Sequence, residues 1–383
     1  MKNWEKIKLG DLCEVITKGT TPTSIGYNFT DSGIKFIKVE SLTESGEIIP
    51  NKVAYIDEAC HQALKRSQLK KNDILFSIAG ALGRIGIVKE DILPANTNQA
   101  LAIIRLKKDS NAIVEFIAKY FNSNIVTDEI EKLRIGAAQQ NLSLTQLNNL
   151  FVPLPPLPEQ QRIVSILDEA FAAIAKAKAN AEQNLKNAKE LFESYLQGVF
   201  ENGNWETKTL NQISENLDSK RVPITKNKRK SGDIPYYGAS GIVDYVADYL
   251  FDEDLLCVSE DGANLLARTY PIAFSISGKT WVNNHAHVLK FPNIITQKFV
   301  EVYINSIRID DYVSGMAQPK LNQAMLNKIP IPLPTLNEQQ TIVRQLDALR
   351  AETQKLEAVY QKKIADLEEL KKSILQKAFA GEL

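Results

Sequence analysis

The sequence is poor in the residues that build covalent frameworks and metal centres, with 3 cysteines, 3 histidines, 3 methionines and 3 tryptophans in 383 residues. Cys13, Cys60 and Cys257 are scattered and odd in number, so they neither frame a disulfide scaffold nor supply the paired spacing of a zinc site. His61, His285 and His287 do not fall at ligand spacing from any cysteine. Net charge is missing too: 46 Lys plus Arg offset 46 Asp plus Glu, so a polyanionic partner must be met by local patches rather than by a general field. With no run of about 18 or more apolar residues and no charged-then-apolar leader, the expectation is a cytoplasmic globular protein. The sequence contains no GxxxxGK[ST] phosphate loop, no Asn-Pro-Pro-aromatic run for amino methylation and no convincing Ser/His/Asp set. Gly80-Ala81-Leu82-Gly83-Arg84-Ile85-Gly86 lacks the G-x-G opening of a cofactor loop. The expectation is a chain that is no enzyme and holds neither cofactor nor metal.

What the sequence does have is a duplication. Phe151-Val152-Pro153-Leu154-Pro155-Pro156-Leu157-Pro158-Glu159-Gln160-Gln161 returns as Ile329-Pro330-Ile331-Pro332-Leu333-Pro334-Thr335-Leu336-Asn337-Glu338-Gln339-Gln340. Alternate prolines hold each copy extended and are expected not to continue a ladder, after which Glu-Gln-Gln opens a long helical pattern. Thr335 and Glu338 have capping-box spacing, whereas the first copy carries Pro156 where that threonine would stand. Glu159 and Glu338 align at an offset of 338 − 159 = 179, which also matches Gln139 to Gln318 and Phe200 to Phe379. Trp4 answers Trp205 at an offset of 201, so the first half carries 201 − 179 = 22 extra residues upstream of the glutamine, where length differences map to loops.

Each half opens with short β-like runs between Gly, Thr, Asn and Pro turns, followed by one helical run. The runs are 34–39, 73–78 and 101–106 with a helix near 112–122, then 234–238, 254–258 and 286–289 with a helix near 296–307. The expected fold class is α+β: two tandem-duplicated modules of mixed α/β structure, separated by two long helices forming an antiparallel coiled coil in a pseudo-twofold, circular arrangement. Modules are expected at 1–150 and 204–328, with a proline hinge and spacer helix at 151–203 and again at 329–383. In the first helix Ile163, Leu167, Ala170, Ile174, Ala177, Ala181, Asn184, Ala188 and Leu191 step by four and three, as a coiled-coil seam does. Ile342, Leu346, Leu349, Thr353, Leu356, Tyr360, Ile364, Leu367, Leu370 and Ile374 do much the same in the second. One seam is rich in alanine and the other in large side chains, so the two are expected to pair with each other, Asn184 acting as a register device. Such a helix would span roughly 60 Å.

Module, Pro-rich hinge with Glu-Gln-Gln and long helix, repeated and ending Ala378-Phe379-Ala380-Gly381-Glu382-Leu383, resembles the DNA-specificity subunit of type I restriction-modification systems over the whole chain. The most specific words are Gly315-Met316-Ala317-Gln318-Pro319-Lys320-Leu321-Asn322, the hinges, Lys220-Arg221-Val222-Pro223-Ile224 and Trp281-Val282-Asn283-Asn284-His285-Ala286-His287. The resemblance implies two target-recognition domains that each read half of a bipartite, asymmetric sequence in double-stranded DNA. It also implies helices that space the readers and dock two methyltransferase subunits, which bring S-adenosylmethionine, and through them motor-nuclease subunits that hydrolyse ATP. A coiled-coil scaffold whose modules bind proteins is the competing reading.

Candidate DNA contacts follow from residue chemistry. Arg221, Lys226, Lys228, Arg229 and Lys230 form the strongest basic cluster, read as a flexible arm suited to phosphates. Asn96, Asn98 and Gln99 occupy the place in the repeat that Asn283, Asn284 and His285 occupy in the other half, and Asn or Gln can bond adenine bidentately. Tyr236, Tyr237 and Ser240 flank a glycine turn, and Lys18, Thr20 and Thr21 another; as ordinary structure these would be core tyrosines and a plain turn. Arg84 and Lys279 complete the set, while Gln139 and Gln318 are read as fixing the hinge. His285 and His287 would share one face of a strand.

Overall fold

The structure is a computed structural model that describes residues 4–43, 46–134, 141–315 and 317–383. Gln139 and Met316 lie outside the described residues. The chain divides into two compact units, Met1–Ala181 with Lys362–Leu383, and Glu182–Gln361. Each contains one module and a stretch of each long helix.

In the first unit β2 (Cys13–Lys18), β5 (Ile74–Ser77), β6 (Ile85–Ile87) and β8 (Leu101–Leu106) form an antiparallel sheet in the order β2-β8-β5-β6. A second sheet has β3 (Ile34–Ile37) between β4 (Ala54–Ile56), antiparallel, and β7 (Ala95–Thr97), parallel. The apolar runs are continuous rather than alternating because both faces of the first sheet are covered. Ile74, Phe76, Ala102 and Ile104 pack with Phe116 and Ile117 of helix α1 (Val114–Phe121), while Leu75, Leu101 and Ile103 pack with Ile37 and Leu42 on the other side. Helix α2 (Asn124–Arg134) follows α1 and has no counterpart among the expected elements.

The second unit repeats this plan. Its sheets are β11-β18-β15-β16, built from Glu215–Asn216, Ala286–Lys290, Leu255–Ser259 and Ala273–Ile276, and β13-β12-β17-β14, built from Gly241–Val246, Ile234–Gly238, Lys279–Val282 and Phe251–Asp252. Strand β12 again runs parallel to β17, as β3 does to β7. Helix α4 (Ile294–Ser306) takes the place of α1.

The hinges correct one expectation. Residues Phe151–Leu154 form strand β9, paired antiparallel with β1 (Glu5–Lys8), and Pro330–Pro332 form β19, paired with β10 (Thr207–Thr209). Prolines therefore do sit in a ladder. In an antiparallel pair alternate residues turn their N–H toward the partner and away from it, so prolines at every second position can all lie on the outer edge. The residues between them keep the inward donors: the Leu333 N–H donates to the Glu206 carbonyl at 2.8 Å.

Each hinge then enters a helix, α3 (Leu157–Glu201) or α5 (Leu336–Ala380). Thr335 and Glu338 form the capping box, with the Thr335 N–H donating to Glu338 Oε2 at 2.9 Å. Both helices are fastened by a residue whose role the sequence did not reveal, the second residue of Glu-Gln-Gln. Gln160 is fully buried; its Nε2 donates to the carbonyls of Asn111 (2.7 Å) and Pro155 (2.8 Å) and its Oε1 accepts the Ile113 N–H (2.9 Å). Gln339 does the same to Pro334 and accepts the Thr296 hydroxyl at 2.8 Å. Gln160→Leu strands the Ile113 N–H and two carbonyls in the interior, at an expected cost of about 1–3 kcal/mol in urea unfolding followed at the first unit.

Within each unit the long helices run antiparallel. In the first, Arg162 Nη2 donates to the Leu383 carbonyl at 2.6 Å and Lys178 pairs with Glu368 at 2.6 Å; in the second, Arg350 lies 5.1 Å over the Phe192 ring and the Tyr195 hydroxyl donates to Gln345 at 3.1 Å. Partner numbers fall on α5 as they rise on α3. The buried seam departs from the expected one. On α3 it passes from Ala181 to Leu185, Ala188 and Phe192, leaving Asn184 and Leu191 exposed. On α5 it passes through Glu357 and Lys371, leaving Leu356 and Leu370 exposed at 41% and 46%. Two successive four-residue steps, Ala177–Ala181–Leu185 and Leu349–Thr353–Glu357, return each stripe to the facing side, because a strict seven-residue repeat lags a helix of 3.6 residues per turn by ~20° per heptad. Asn184 is therefore no register device. Among the described residues no helix is long and apolar enough to cross a membrane.

Candidate nucleic-acid interface

Topology gathers the candidates of the first module at one edge. Strands β3 and β7 are parallel and end on the same side, while the C-terminal ends of β2 and β5 meet the start of β8 through the pairs Lys18↔Ala102 and Ser77↔Leu101. The segment after β2 lies directly on the segment after β7. Gly19 N–H donates to the Leu101 carbonyl (3.3 Å) and Thr20 N–H to the Thr97 carbonyl (3.1 Å). A Cβ on Gly19 would stand 1.9 Å from the Thr97 carbonyl oxygen, so this approach needs glycine. The Thr21 hydroxyl bonds the Gln99 side-chain carbonyl, and Arg66, which sequence reasoning passed over, donates to the Thr20 hydroxyl at 3.4 Å.

The same edge separates scaffold from free surface. Lys18 and Gln99 are exposed, Thr20, Thr21 and Asn98 half-buried. Asn96 is fully buried: its Nδ2 donates to the Leu64 carbonyl and Ser67 hydroxyl at 3.1 and 3.2 Å, and its Oδ1 meets His61 Nδ1. With its amide spent inside, Asn96 anchors β7. Asn98 Oδ1 accepts the Ala100 N–H at 3.2 Å and shapes the turn. Arg84 lies half-buried in the β5–β6 turn, its carbonyl accepting the Ser77 N–H at 2.8 Å.

In the second module the same edge carries the β12–β13 turn, the segment after β15 and the segment before β18. Ser259 pairs with Ala286, Glu260 N–H donates to the His285 carbonyl (2.9 Å), and Asn283 N–H to the Tyr237 carbonyl (3.0 Å). Beneath it lies a buried ionic cluster. Arg221 Nη1 donates to Glu260 and to the Ala286 carbonyl, both at 2.7 Å, and its Nε to the Asp218 carbonyl at 3.1 Å. His287 is buried, with Nδ1 2.6 Å from Asp218 and Nε2 2.7 Å from the Leu321 carbonyl, so both ring nitrogens face acceptors. Lys320 reaches Glu260 at 3.2 Å. Burial by itself would raise the carboxyls of Asp218 and Glu260; hydrogen bonds from His287 and Val288 to the first and from Arg221 to the second outweigh it and hold both below their ordinary values. The expectation that His285 and His287 share a strand face does not hold: His285 precedes β18 and is exposed, its Nδ1 2.8 Å from Asp261.

The basic arm is pinned rather than flexible. The Trp281 indole donates to the Val222 carbonyl at 2.7 Å, Ile224 N–H to the Tyr236 hydroxyl at 3.0 Å, and Arg229 to Asp244 at 2.8 Å while its guanidinium sits 4.3 Å over the Tyr236 ring. Arg221, Arg229 and Tyr236, the last only 1% exposed, are thus held by the module itself. Lys226, Lys228 and Lys230 remain exposed, as do Ser240 and Asn284. Tyr237 stacks on Phe274, Asn283 is buried and accepts the His285 N–H (2.8 Å), and Lys279 lies over Tyr249 at the other end of β17. Sequence reasoning sought cations and amides, and so missed Asp218, Glu260 and Asp261, the acids that position them; the acidic pair after the apolar strand Leu255–Ser259 was the available signal.

The fold and these edges define a class: a two-module protein in which one α+β design, with unlike side chains at the same edge, is carried twice on antiparallel helices. The chain belongs to the type I restriction modification DNA specificity domain family, whose model matches residues 1–186 and 202–366. It is similar to the putative type I restriction enzyme specificity subunit S.HindORF215P of Haemophilus influenzae, 36% identical over 160 residues, or 42% of this chain and 41% of that one. That match spans under half the relative's length. Similarity to the putative MjaX specificity subunit of Methanocaldococcus jannaschii is 24% over 427 residues, covering 100% of this chain and 94% of the other. The crystal structure of the HsdS subunit from Thermoanaerobacter tengcongensis has the same fold, with a TM-score of 0.68, 19% identity and coverage of 100% and 98%.

Proposed function

We propose that this chain is the DNA-reading subunit of a cytoplasmic type I restriction-modification complex, performing no chemistry of its own. Residues 1–150 read one half of a bipartite sequence and residues 204–328 the other, while the long helices fix the spacing and dock methyltransferase subunits, and motor-nuclease subunits through them. The observation that carries this reading is the repetition of one loop edge with different side chains. Two unlike edges suit two unlike half-sites, and an asymmetric split target needs both on a stiff connection. Lys18, Thr20, Thr21, Arg84, Asn98 and Gln99 face the first half-site; Lys226, Lys228, Lys230, Ser240, Asn284 and His285 face the second, while Lys279, over Tyr249 at the far end of β17, stands apart from that edge. Lysines suit phosphates, whereas the amide, hydroxyl and imidazole groups suit base edges. Asn96, Arg221, Arg229, Tyr236, Tyr237 and Asn283 act beneath the surface as supports.

Single-molecule methylome sequencing tests this. In a host without other adenine methyltransferases, this gene and its neighbouring methyltransferase gene are expressed together, and then with this gene deleted. The expected result is a split motif methylated only when the chain is present, and replacing residues 1–150 with another module should alter one half alone. Methylation that is the same without the chain would turn attention to the scaffold reading.

A further inference from the structure

We propose that His285, oriented by Asp261, reads a single base pair of the second half-site through its Nε2, set as an acceptor for the exocyclic amino group of adenine or cytosine in the major groove. This deepens the DNA reading above and rests on it. Lysines on the basic arm have long free stems, which suit phosphates because charge matters there more than register. His285 is built differently. Its backbone is held from both sides, the N–H by Asn283 Oδ1 at 2.8 Å and the carbonyl by the Glu260 N–H at 2.9 Å. Its ring is held as well, Nδ1 lying 2.8 and 3.0 Å from the two carboxylate oxygens of Asp261.

Asp261 is fixed in turn. It bridges Lys320, Gly262 N–H donates to the Pro319 carbonyl at 3.0 Å, and Leu321 N–H to the Glu260 carbonyl at 2.8 Å. The pair therefore joins the end of β15 to the approach to β18, with the segment 319–321 as a backstop. A carboxylate only accepts, so the proton on Nδ1 is the one it holds, and in the neutral ring this leaves a lone pair on Nε2. The His285 side chain is 52% exposed with Nδ1 engaged by Asp261, and its neighbour Asn284 and the Lys320 that pairs with Asp261 are exposed too. An immobilised acceptor at an exposed edge matches the amino donors that adenine N6 and cytosine N4 display in the major groove. Asp261 is a positioning residue, acting through the ring.

The test uses the chain assembled with its methyltransferase partners. Methylomes of wild type, His285→Ala and Asp261→Ala are compared, each with a melting curve. His285→Ala is expected to relax one position of one half-site by roughly tenfold and to leave the other half-site unchanged. Asp261→Ala should relax the same position less. Binding is then measured with duplexes lacking the amino group at that position, purine for adenine or pyrimidinone for cytosine: wild type should lose the same factor, and His285→Ala nothing further. Uniform weakening at every position, an unchanged motif, or indifference of wild type to the missing amino group overturns the proposal while the wider reading stands. A wild type with no chain-dependent motif removes both. Should either alanine variant melt early, His285→Phe, which keeps a ring without a ring nitrogen, and Asp261→Leu, which is near in size but accepts no hydrogen bond, give the same two outcomes.

Discussion

Asp218→Ala is expected to destabilise the second unit by about 3–5 kcal/mol at neutral pH, because it deprives a buried ionic cluster of one acid and leaves the cations short of a partner. Asp218 receives His287 Nδ1 at 2.6 Å and the Val288 N–H at 2.9 Å, and Arg221 Nε lies 3.5 Å from its carboxylate. His287 and Val288 are buried in β18, so neither can turn to water without opening that strand. The cost should depend on pH in a defined direction. Asp218 and Glu260 are held below their ordinary values of 3.8 and 4.5, so the folded state binds fewer protons than the unfolded chain. Their stabilisation is complete above those ordinary values and is lost as pH falls through the lower folded ones. Urea unfolding of wild type and Asp218→Ala, followed by tryptophan fluorescence from pH 7 downward, should show a gap that is constant to about pH 5 and narrows below it. A gap that widens with acid would contradict the cluster.

Phe379→Ala should cost the first unit a similar ~3–5 kcal/mol. Phe379 is 5% exposed, and its ring meets Phe116 and Tyr120 edge-on, each at 5.2 Å between centroids. The end of α5 is thereby seated on α1, next to Leu375 and Ala378. Phe200 at the end of α3 does the same in the second unit, against Phe299 and Tyr303 of α4 at 5.7 and 5.0 Å. Leu370→Ala is the matched control. The four-and-three spacing puts Leu370 in the seam, but it is 46% exposed, so its loss should stay within about 0.5 kcal/mol. Thermal unfolding of the two variants beside wild type checks both figures. Under the proposed function, Phe379→Ala in the assembled complex should also reduce methylation without altering the motif, because its ring is buried against Phe116 and Tyr120 and is no candidate contact.

Much of the fold was legible because the same local pattern occurs twice. Apolar runs such as 101–106 and 286–289 read as buried strands, and the two long helical stretches were evident from their periodicity, ending within a few residues of the 45-residue helices α3 and α5. The seam was misread because a repeat of four and three was extended past the points where the helices take two fours. Leu191, Leu356 and Leu370 look like core residues by type, and only the facing helix decides that they are not. The prolines misled for a related reason: a missing donor matters only on the side where a partner stands, and the partners are distant in sequence, Lys6 with Pro153 (153 − 6 = 147 residues apart), Thr209 with Pro330 (330 − 209 = 121) and Thr207 with Pro332 (332 − 207 = 125).

The sequence by itself determined that this protein is a duplication, that each copy has a proline-rich run leading into a long helix, and which segments carry hydrogen-bonding side chains fit for a polyanion. These are properties of residue order and period, and they survive without any knowledge of contacts. Tertiary structure alone decided which of those side chains are free. Asn96 is spent on Leu64 and Ser67, Tyr236 on Ile224, and Arg221 on Glu260 and Ala286, whereas Gln99 and His285 are held in place and still face outward. The physical reason is that commitment of a polar group depends on partners distant in sequence, brought near by strand pairing, and a buried group must find them while an exposed one need not.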